Sequence, residues 1–351
     1  MLVQEELNDA RPWKKPAARA LGLVVTGVSL YVLAPSMVAV FASWRSVVDL
    51  NPAWLAVVVL LESASFALLW DLQRITLRTR SWFVVGTSQL AGNAFGHVVP
   101  GGLATASAVQ FQMLTRAGVP GATVASGLAA TSALTAGMVM ALPVLAVPAV
   151  LTGAPVSRQL AEGLVAGLVA FVLLVAVAAV FLATTEPVVL IAESMQRARN
   201  RLRKHQPRAT GFAERALRER DAVREALGRD RWHALVASGG NIGLDYLALL
   251  AALAAAGSRA QPSLVLLAYV TAALLGLVPI TPGGLGFVEA GLTGTLVLAG
   301  VGAADAVVAA LLYRLVSFWL PMLAGLVAYI LFRHRYPATP QPSVLKPERI
   351  A

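Results

Sequence analysis

The 351-residue chain contains no cysteine, which excludes disulfides and thiolate metal sites and leaves its redox compartment unmarked. Charged residues are scarce at 13%, against about 25% in soluble domains. Acids are scarcer than bases, 18 against 28, for a formal net charge of +10. No Gly-x-Ser-x-Gly, His-Glu-x-x-His or P-loop pattern occurs. The four histidines, His97, His205, His233 and His334, have no ligand spacing. These absences imply no metal, no cofactor and no catalytic constellation, so the chain is not expected to be an enzyme. No basic helix is interleaved with aromatics, so nucleic acid is not an expected partner either.

What is present is apolar. Hydrophobic residues make up 58% of the chain and arrive in long unbroken runs. A bilayer crossing needs about 20 consecutive apolar residues, and several runs reach that length. The runs do not alternate, so they predict helices rather than barrel strands. The expected fold class is all-α, a polytopic membrane helix bundle. Candidate spans are 20–41, 53–70, 121–150, 160–183, 234–256 and 305–332. The N-terminus has acids and bases before a full-length apolar run and no small-residue cleavage site, so no signal peptide is read.

Two further apolar stretches, 82–115 and 263–300, are broken by Gly and Pro. Basic residues set the expected topology through the positive-inside rule. They gather before the first span (Arg11, Lys14, Lys15, Arg19), after the second (Arg74, Arg78, Arg80), between 193 and 233, and after the last span (Arg333, Arg335). All four segments are expected in the cytoplasm of a multi-pass inner-membrane protein with both termini inside. For the sides to agree, each broken stretch must return to the side it entered from. The first dips in from the cytoplasm and the second from outside. Two full crossings joined by a tight turn are the alternative.

The breaks resemble each other. Pro100-Gly101-Gly102-Leu103 recurs as Pro282-Gly283-Gly284-Leu285, and Ala117-Gly118-Val119 recurs as Ala299-Gly300-Val301, both displaced by 182 positions. Inverted repeats with broken helices near the midplane are a common transporter design. The chain therefore divides into a cytoplasmic segment 1–19, a first membrane half 20–183, a basic cytoplasmic loop 184–233, a second membrane half 234–332 and a disordered cytoplasmic tail 333–351. Within the basic loop, Phe212, Ala216, Leu217, Val223 and Leu227 give a weak apolar stripe on an Arg-rich helix, suited to an anionic leaflet or simply to a solvated linker.

Ionisable residues inside spans are costly and usually face the bundle interior. Four occur: Glu62, Asp245, Glu289 and Arg314. Arg314 falls near the midplane of its span, too deep to snorkel, and needs an anionic partner. Its planar guanidinium suits phosphate or carboxylate. Glu289 follows the second break by about a turn, where a helix N-terminus favours an acid or, equally, a bound phosphate. A buried pair that only fixes packing is the competing reading. Glu62 and Asp245 are candidate proton- or cation-coupling sites or charge partners for Arg314, or else neutral hydrogen-bonded acids. Asn93 and Asn241, with Gln110 and Gln112, suit interhelical hydrogen bonds, and Asn93 beside the first break is also carried as a binding candidate. His97 reads as a hydrogen-bonding residue.

The run Ile280-Thr281-Pro282-Gly283-Gly284-Leu285-Gly286-Phe287-Val288-Glu289-Ala290, followed by Gly300-Val301 and by Leu311-Leu312-Tyr313-Arg314-Leu315, resembles the membrane domain of lysylphosphatidylglycerol synthases and their stand-alone flippase-like relatives. The resemblance implies a bundle with two inverted re-entrant hairpins and a lipid-binding or lipid-translocating role. Aminoacylated phosphatidylglycerol and polyprenyl-phosphate sugars are the implied cargo classes. Arg314, Glu289, Tyr313 and the backbone at Pro100, Gly101, Gly102, Pro282, Gly283 and Gly284 are the implied headgroup site. Synthases of the family carry a soluble aminoacyltransferase domain after the membrane part. This chain ends shortly after its last span, so synthase activity is not expected. Many relatives have a Pro-Gly-Arg-x-Gly-Glu type segment in the first hairpin, and here neither the Arg nor the Glu is present.

Membrane lipids are thus the expected partners, with a homo-oligomer and a separate transferase also carried. An ion-coupled transporter of a small soluble anion, and a membrane scaffold for a transferase docking on the basic loop, remain as alternatives.

Overall fold

The computed structural model describes residues 52–99, 102–151, 184–202, 211–276 and 286–337, with scattered helical positions between 158 and 176. The expected first span, the N-terminal segment, Pro100, Gly101, Pro282, Gly283, Gly284 and the tail beyond 337 lie outside the described residues. Among the described residues every element is helical, as hydrocarbon solvent requires of backbone groups that can find partners only within their own segment.

The elements are α1 (Pro52–Thr76), α2 (Trp82–Val98), α3 (Leu103–Arg116), α4 (Gly121–Leu151), α5 (Glu186–Leu202), α6 (Phe212–Ala255), α7 (Pro262–Gly276), α8 (Phe287–Leu298) and α9 (Ala303–Arg314). A π-helical turn, Leu315–Trp319, joins α9 to α10 (Leu320–Arg335). Among the described residues four helical stretches are long and apolar enough to cross a bilayer: Pro52–Thr76, Gly121–Leu145, Trp232–Ala255 and Ala303–Arg335. The protein is a multi-pass helical membrane protein. Leu320, Leu323, Leu326, Val327, Ile330 and Leu331 of α10 stay exposed, a surface that fits lipid rather than water.

The two broken stretches each form a pair of short helices. α2 has 17 residues and α3 has 14; α7 has 15 and α8 has 12. At a rise of about 1.5 Å per residue all four fall short of the roughly 30 Å hydrocarbon core. Ser81 starts α2 by accepting a hydrogen bond from the Val84 amide at 3.3 Å, an N-cap of the preferred type. α2 lies against α3, and a methyl group on Gly96 would stand 2.9 Å from the Ala106 Cβ.

The polar segment 184–233 is helical where described, comprising α5 and the polar arm of α6. Its Arg, Glu and Ala are good helix formers, and no proline interrupts 211–261. α6 bends at Asp230, with φ −121° and ψ 27°, close to where its apolar arm begins.

The 182-residue displacement carries over to the elements. It maps α2 onto α7, α3 onto α8, α4 onto α9–α10, and α1 onto the apolar arm of α6. Partners are exchanged between halves: α2 packs against α10, α7 against α4, and α1 against α6, the reciprocal pattern of an isologous contact. The repeated Ala-Gly-Val forms the same helix stop twice. The Val119 amide donates to the Leu114 carbonyl at 3.1 Å, and the Val301 amide to the Leu296 carbonyl at 3.0 Å. Gly118 and Gly300 hold φ of 93° and 88°, the left-handed region of a Schellman motif. Gly118→Ala and Gly300→Ala should each lower stability by about 1–2 kcal/mol, read as equal shifts in thermal unfolding in detergent. A loss at only one site would show that the two stops are not equivalent supports.

Small residues allow the second half to close up. Ala248, Ala252, Ala268, Ala306, Ala309 and Ala310 are buried where α6, α7 and α9 meet, as expected where packing rather than water drives helix association. Asn241 ties α6 to α1: its Nδ2 donates to Ser65 Oγ at 2.8 Å and to the Ser65 carbonyl at 3.0 Å. Gln73 Nε2 reaches Gln110 Oε1 at 3.5 Å, so Asn241 and Gln110 bond between helices as expected.

Candidate functional site

Arg314 is the last residue of α9, immediately before the π turn. It lies about 17 Å along the stretch that starts at Ala303, near the middle of a bilayer crossing. Its Nε donates to Glu289 Oε1 at 2.7 Å, with side chains only 11% and 16% exposed. Glu289 sits in the first turn of α8, behind Gly286, where the helix dipole favours a carboxylate. Its other oxygen, Oε2, is buried without a partner. The pair the sequence suggested is therefore present, and it joins the second hairpin to the last long helix.

The guanidinium lies 4.3 Å above the Phe318 ring, a favourable cation–π distance. On the same ring rests His97, with centroids 4.2 Å apart. His97 closes α2, directly before the first break, and its Nδ1 is buried without a partner. Phe318 thus brings the end of the first hairpin to Arg314. The π turn supplies Phe318; such turns recur at functional sites.

A second polar group lies one residue away along α9. Tyr313 Oη donates to Asp245 Oδ1 at 2.8 Å and Oδ2 at 2.9 Å. Tyr269 of α7 also donates to Asp245 Oδ2. Glu62 lies on α1 one turn before Ser65, and Asp245 on α6 one turn after Asn241, so the Ser65–Asn241 bonds bring the two acids near each other. Glu62 is 6% exposed, and its Oε2 has no partner. Glu62 and Asp245 therefore meet where α1 and α6, corresponding helices of the two halves, cross. Tyr246 stacks at 5.5 Å on Tyr269 from the α6 side.

The structure thus sets two buried polar groups on neighbouring residues of α9: Arg314 with Glu289, and Tyr313 with Asp245, near which Glu62 lies. Gly102 stands at the start of α3 with φ 46°, and Asn93 is half-buried on α2, one turn before His97. The other break residues named from the sequence lie outside the described residues. Sequence reasoning missed Tyr269 and Phe318 and gave His97 only a hydrogen-bonding role. A signal existed for Tyr269: a tyrosine inside an apolar helix needs a partner for its hydroxyl. No such signal marked Phe318, since a phenylalanine in a span is ordinary. Chemically the arrangement presents a largely buried guanidinium whose Nε is held by a carboxylate. Among the described residues no cluster of three or more His, Cys, Asp or Glu suits a metal ion.

A family model described as the lysylphosphatidylglycerol synthase TM region matches residues 19–325. No curated protein and no solved structure matches the chain.

Proposed function

Since this chain belongs to the lysylphosphatidylglycerol synthase TM region family, whose membership ties it to membrane lipids, we propose that it binds a polar-headed lipid and moves it between leaflets. The observation that carries the proposal is the buried Arg314–Glu289 pair, placed deep in the bilayer between the second hairpin and the last span. A phosphate-bearing headgroup offers the guanidinium two oxygens in its own plane. It replaces Glu289, while the acyl chains stay in the surrounding lipid. Tyr313 and Asn93 complete the headgroup site.

The two short-helix pairs serve as re-entrant hairpins, inverted relative to each other, that close the site to one side at a time. The reciprocal packing of α2 on α10 and α7 on α4 supports this reading, because equivalent surfaces then slide past each other in opposite senses. The protein works in the cell membrane with both termini cytoplasmic, without catalysing a covalent step. The polar arm of α6 with α5 is the surface for any transferase that produces the lipid.

The test is translocation by the purified full chain in liposomes. Headgroup-labelled phosphatidylglycerol, lysylphosphatidylglycerol and a polyprenyl phosphate are compared, with wild type beside Arg314→Gln. One class is expected to cross at least tenfold faster than in protein-free vesicles, and the variant to remove that excess. Unchanged movement in a folded Arg314→Gln protein would dismiss Arg314 as the headgroup site. No movement of any class by folded wild type would turn the assignment to soluble-anion transport or scaffolding.

A further inference from the structure

The hydrogen bonds around Asp245 define a count of protons. Tyr269 and Tyr313 both donate to it, so its oxygens act as acceptors. Glu62, buried on α1, is brought near the same carboxylate by the Ser65–Asn241 bonds one turn away. Two neighbouring buried carboxyls do not both ionise. With Asp245 accepting from two tyrosines, Glu62 is the member that holds the proton. The resting site then holds the Arg314 cation against two carboxylates, Glu289 and Asp245, and stands at one net negative charge.

A phosphate-bearing anion arriving at Arg314 would raise that to two in a site walled by apolar helices. Buried charge without compensation is strongly unfavourable. Among the described residues, Arg314 is the cation whose charge acts on Asp245. The groups facing the carboxyl pair are Tyr246 on α6, Tyr269 on α7, and Tyr313 and Arg314 on α9. Glu289 on α8 and His97 on α2 communicate through Arg314 and Phe318. α4, which packs against α1, α6 and α7, carries no ionisable side chain. The group ready to change is Asp245, whose partner Glu62 already shows a buried oxygen with no donor.

We infer that Glu62 and Asp245 form a proton site linked to the Arg314 anion site, so that the headgroup phosphate and one proton are taken up together. This rests on the proposed headgroup site and adds its regulation. On binding, a proton from water forms an O–H bond on Asp245, and the pair becomes two neutral acids bonded to each other. The Tyr313 hydroxyl, one residue from Arg314, then donates to a neutral acid instead of a carboxylate. Proton and anion leave together when Glu289 returns to Arg314.

Titration calorimetry on the detergent-solubilised full chain tests this, with dioctanoyl phosphatidylglycerol and, separately, glycerol phosphate as probes. Each is run in two buffers of different ionisation enthalpy, which yields protons taken up per molecule bound. About one proton per bound lipid is expected for wild type, with affinity rising about tenfold per unit fall in pH over the linked range. The ratio should fall near zero in the Glu62→Gln, Asp245→Asn double variant. Binding by wild type without uptake overturns the inference and leaves the lipid site standing. Uptake that persists near one in the folded double variant overturns the assignment to this pair. No binding of either probe by folded wild type removes both readings. Equal proton-linked binding of both probes marks free phosphate chemistry as sufficient, and preference for the lipid marks a lipid headgroup.

Discussion

Replacing Glu289 and Arg314 together by leucine is expected to return a folded protein that moves no lipid. Either single leucine replacement should destabilise it by about 3–5 kcal/mol, because it leaves the other charge buried and unpaired. Both side chains are largely buried and joined at 2.7 Å, so solvent cannot compensate a widowed partner. The double replacement removes both desolvation burdens at once, and such swaps in protein interiors are often neutral or stabilising. Thermal unfolding in detergent and translocation in liposomes, run on the same preparations, separate the two roles of the pair. Stability restored with transport lost assigns the pair to the headgroup. Full transport by the double variant would make the pair a packing device and end the Arg314 assignment. Arg314→Lys sharpens the result: an ammonium can pair with Glu289 but lacks the planar fork for two phosphate oxygens. It should keep most of the stability and lose most of the transport.

Gly325→Val is expected to unfold the hairpin contact of the first half. On α10, a Cβ at position 325 would overlap the Leu90 carbonyl oxygen and stand 2.7 Å from the Ala94 Cβ on α2. Neither is the far end of a flexible side chain, so the helices must separate. Overpacking usually destabilises by about 1–3 kcal/mol, and a backbone obstruction belongs at or above the top of that range. Separation would also pull Phe318 from His97, since Ala94, Phe318, Trp319 and Met322 share one buried cluster. The variant should melt at a markedly lower temperature in detergent and translocate poorly. Gly325→Ala should show a smaller change in the same direction. Wild-type stability in Gly325→Val would mean that α10 and α2 do not approach this closely.

Much of the chain was legible before any coordinates, for physical reasons. A crossing helix needs length and apolarity, and both are local. The expected spans 53–70 and 305–332 therefore fall inside α1 and α9–α10, and 121–150 coincides with α4. The glycine–proline breaks at 82–115 and 263–300 were equally local and separate α2 from α3 and α7 from α8. The Arg-rich helix read between 184 and 233 is helical where described, as the residues of α5 and the polar arm of α6 favour.

Sequence alone determined that Arg314, held deep in an apolar run, must meet an anion, since an unpaired guanidinium is untenable in hydrocarbon. It also showed Ala-Gly-Val twice at one displacement, and the structure then made both a helix stop in the left-handed region. Only the tertiary structure decided which acid takes the arginine. Glu62, Asp245 and Glu289 were all candidates, and helix-to-helix placement assigned Glu289 to Arg314 while setting Glu62 and Asp245 against each other beneath two tyrosines. The reason lies in the solvent. In water, an amphipathic stripe announces which face of a helix turns inward. In lipid, the outer face is as apolar as the core, so the rotation of each helix is set by its neighbours and is not written in the pattern of its own residues.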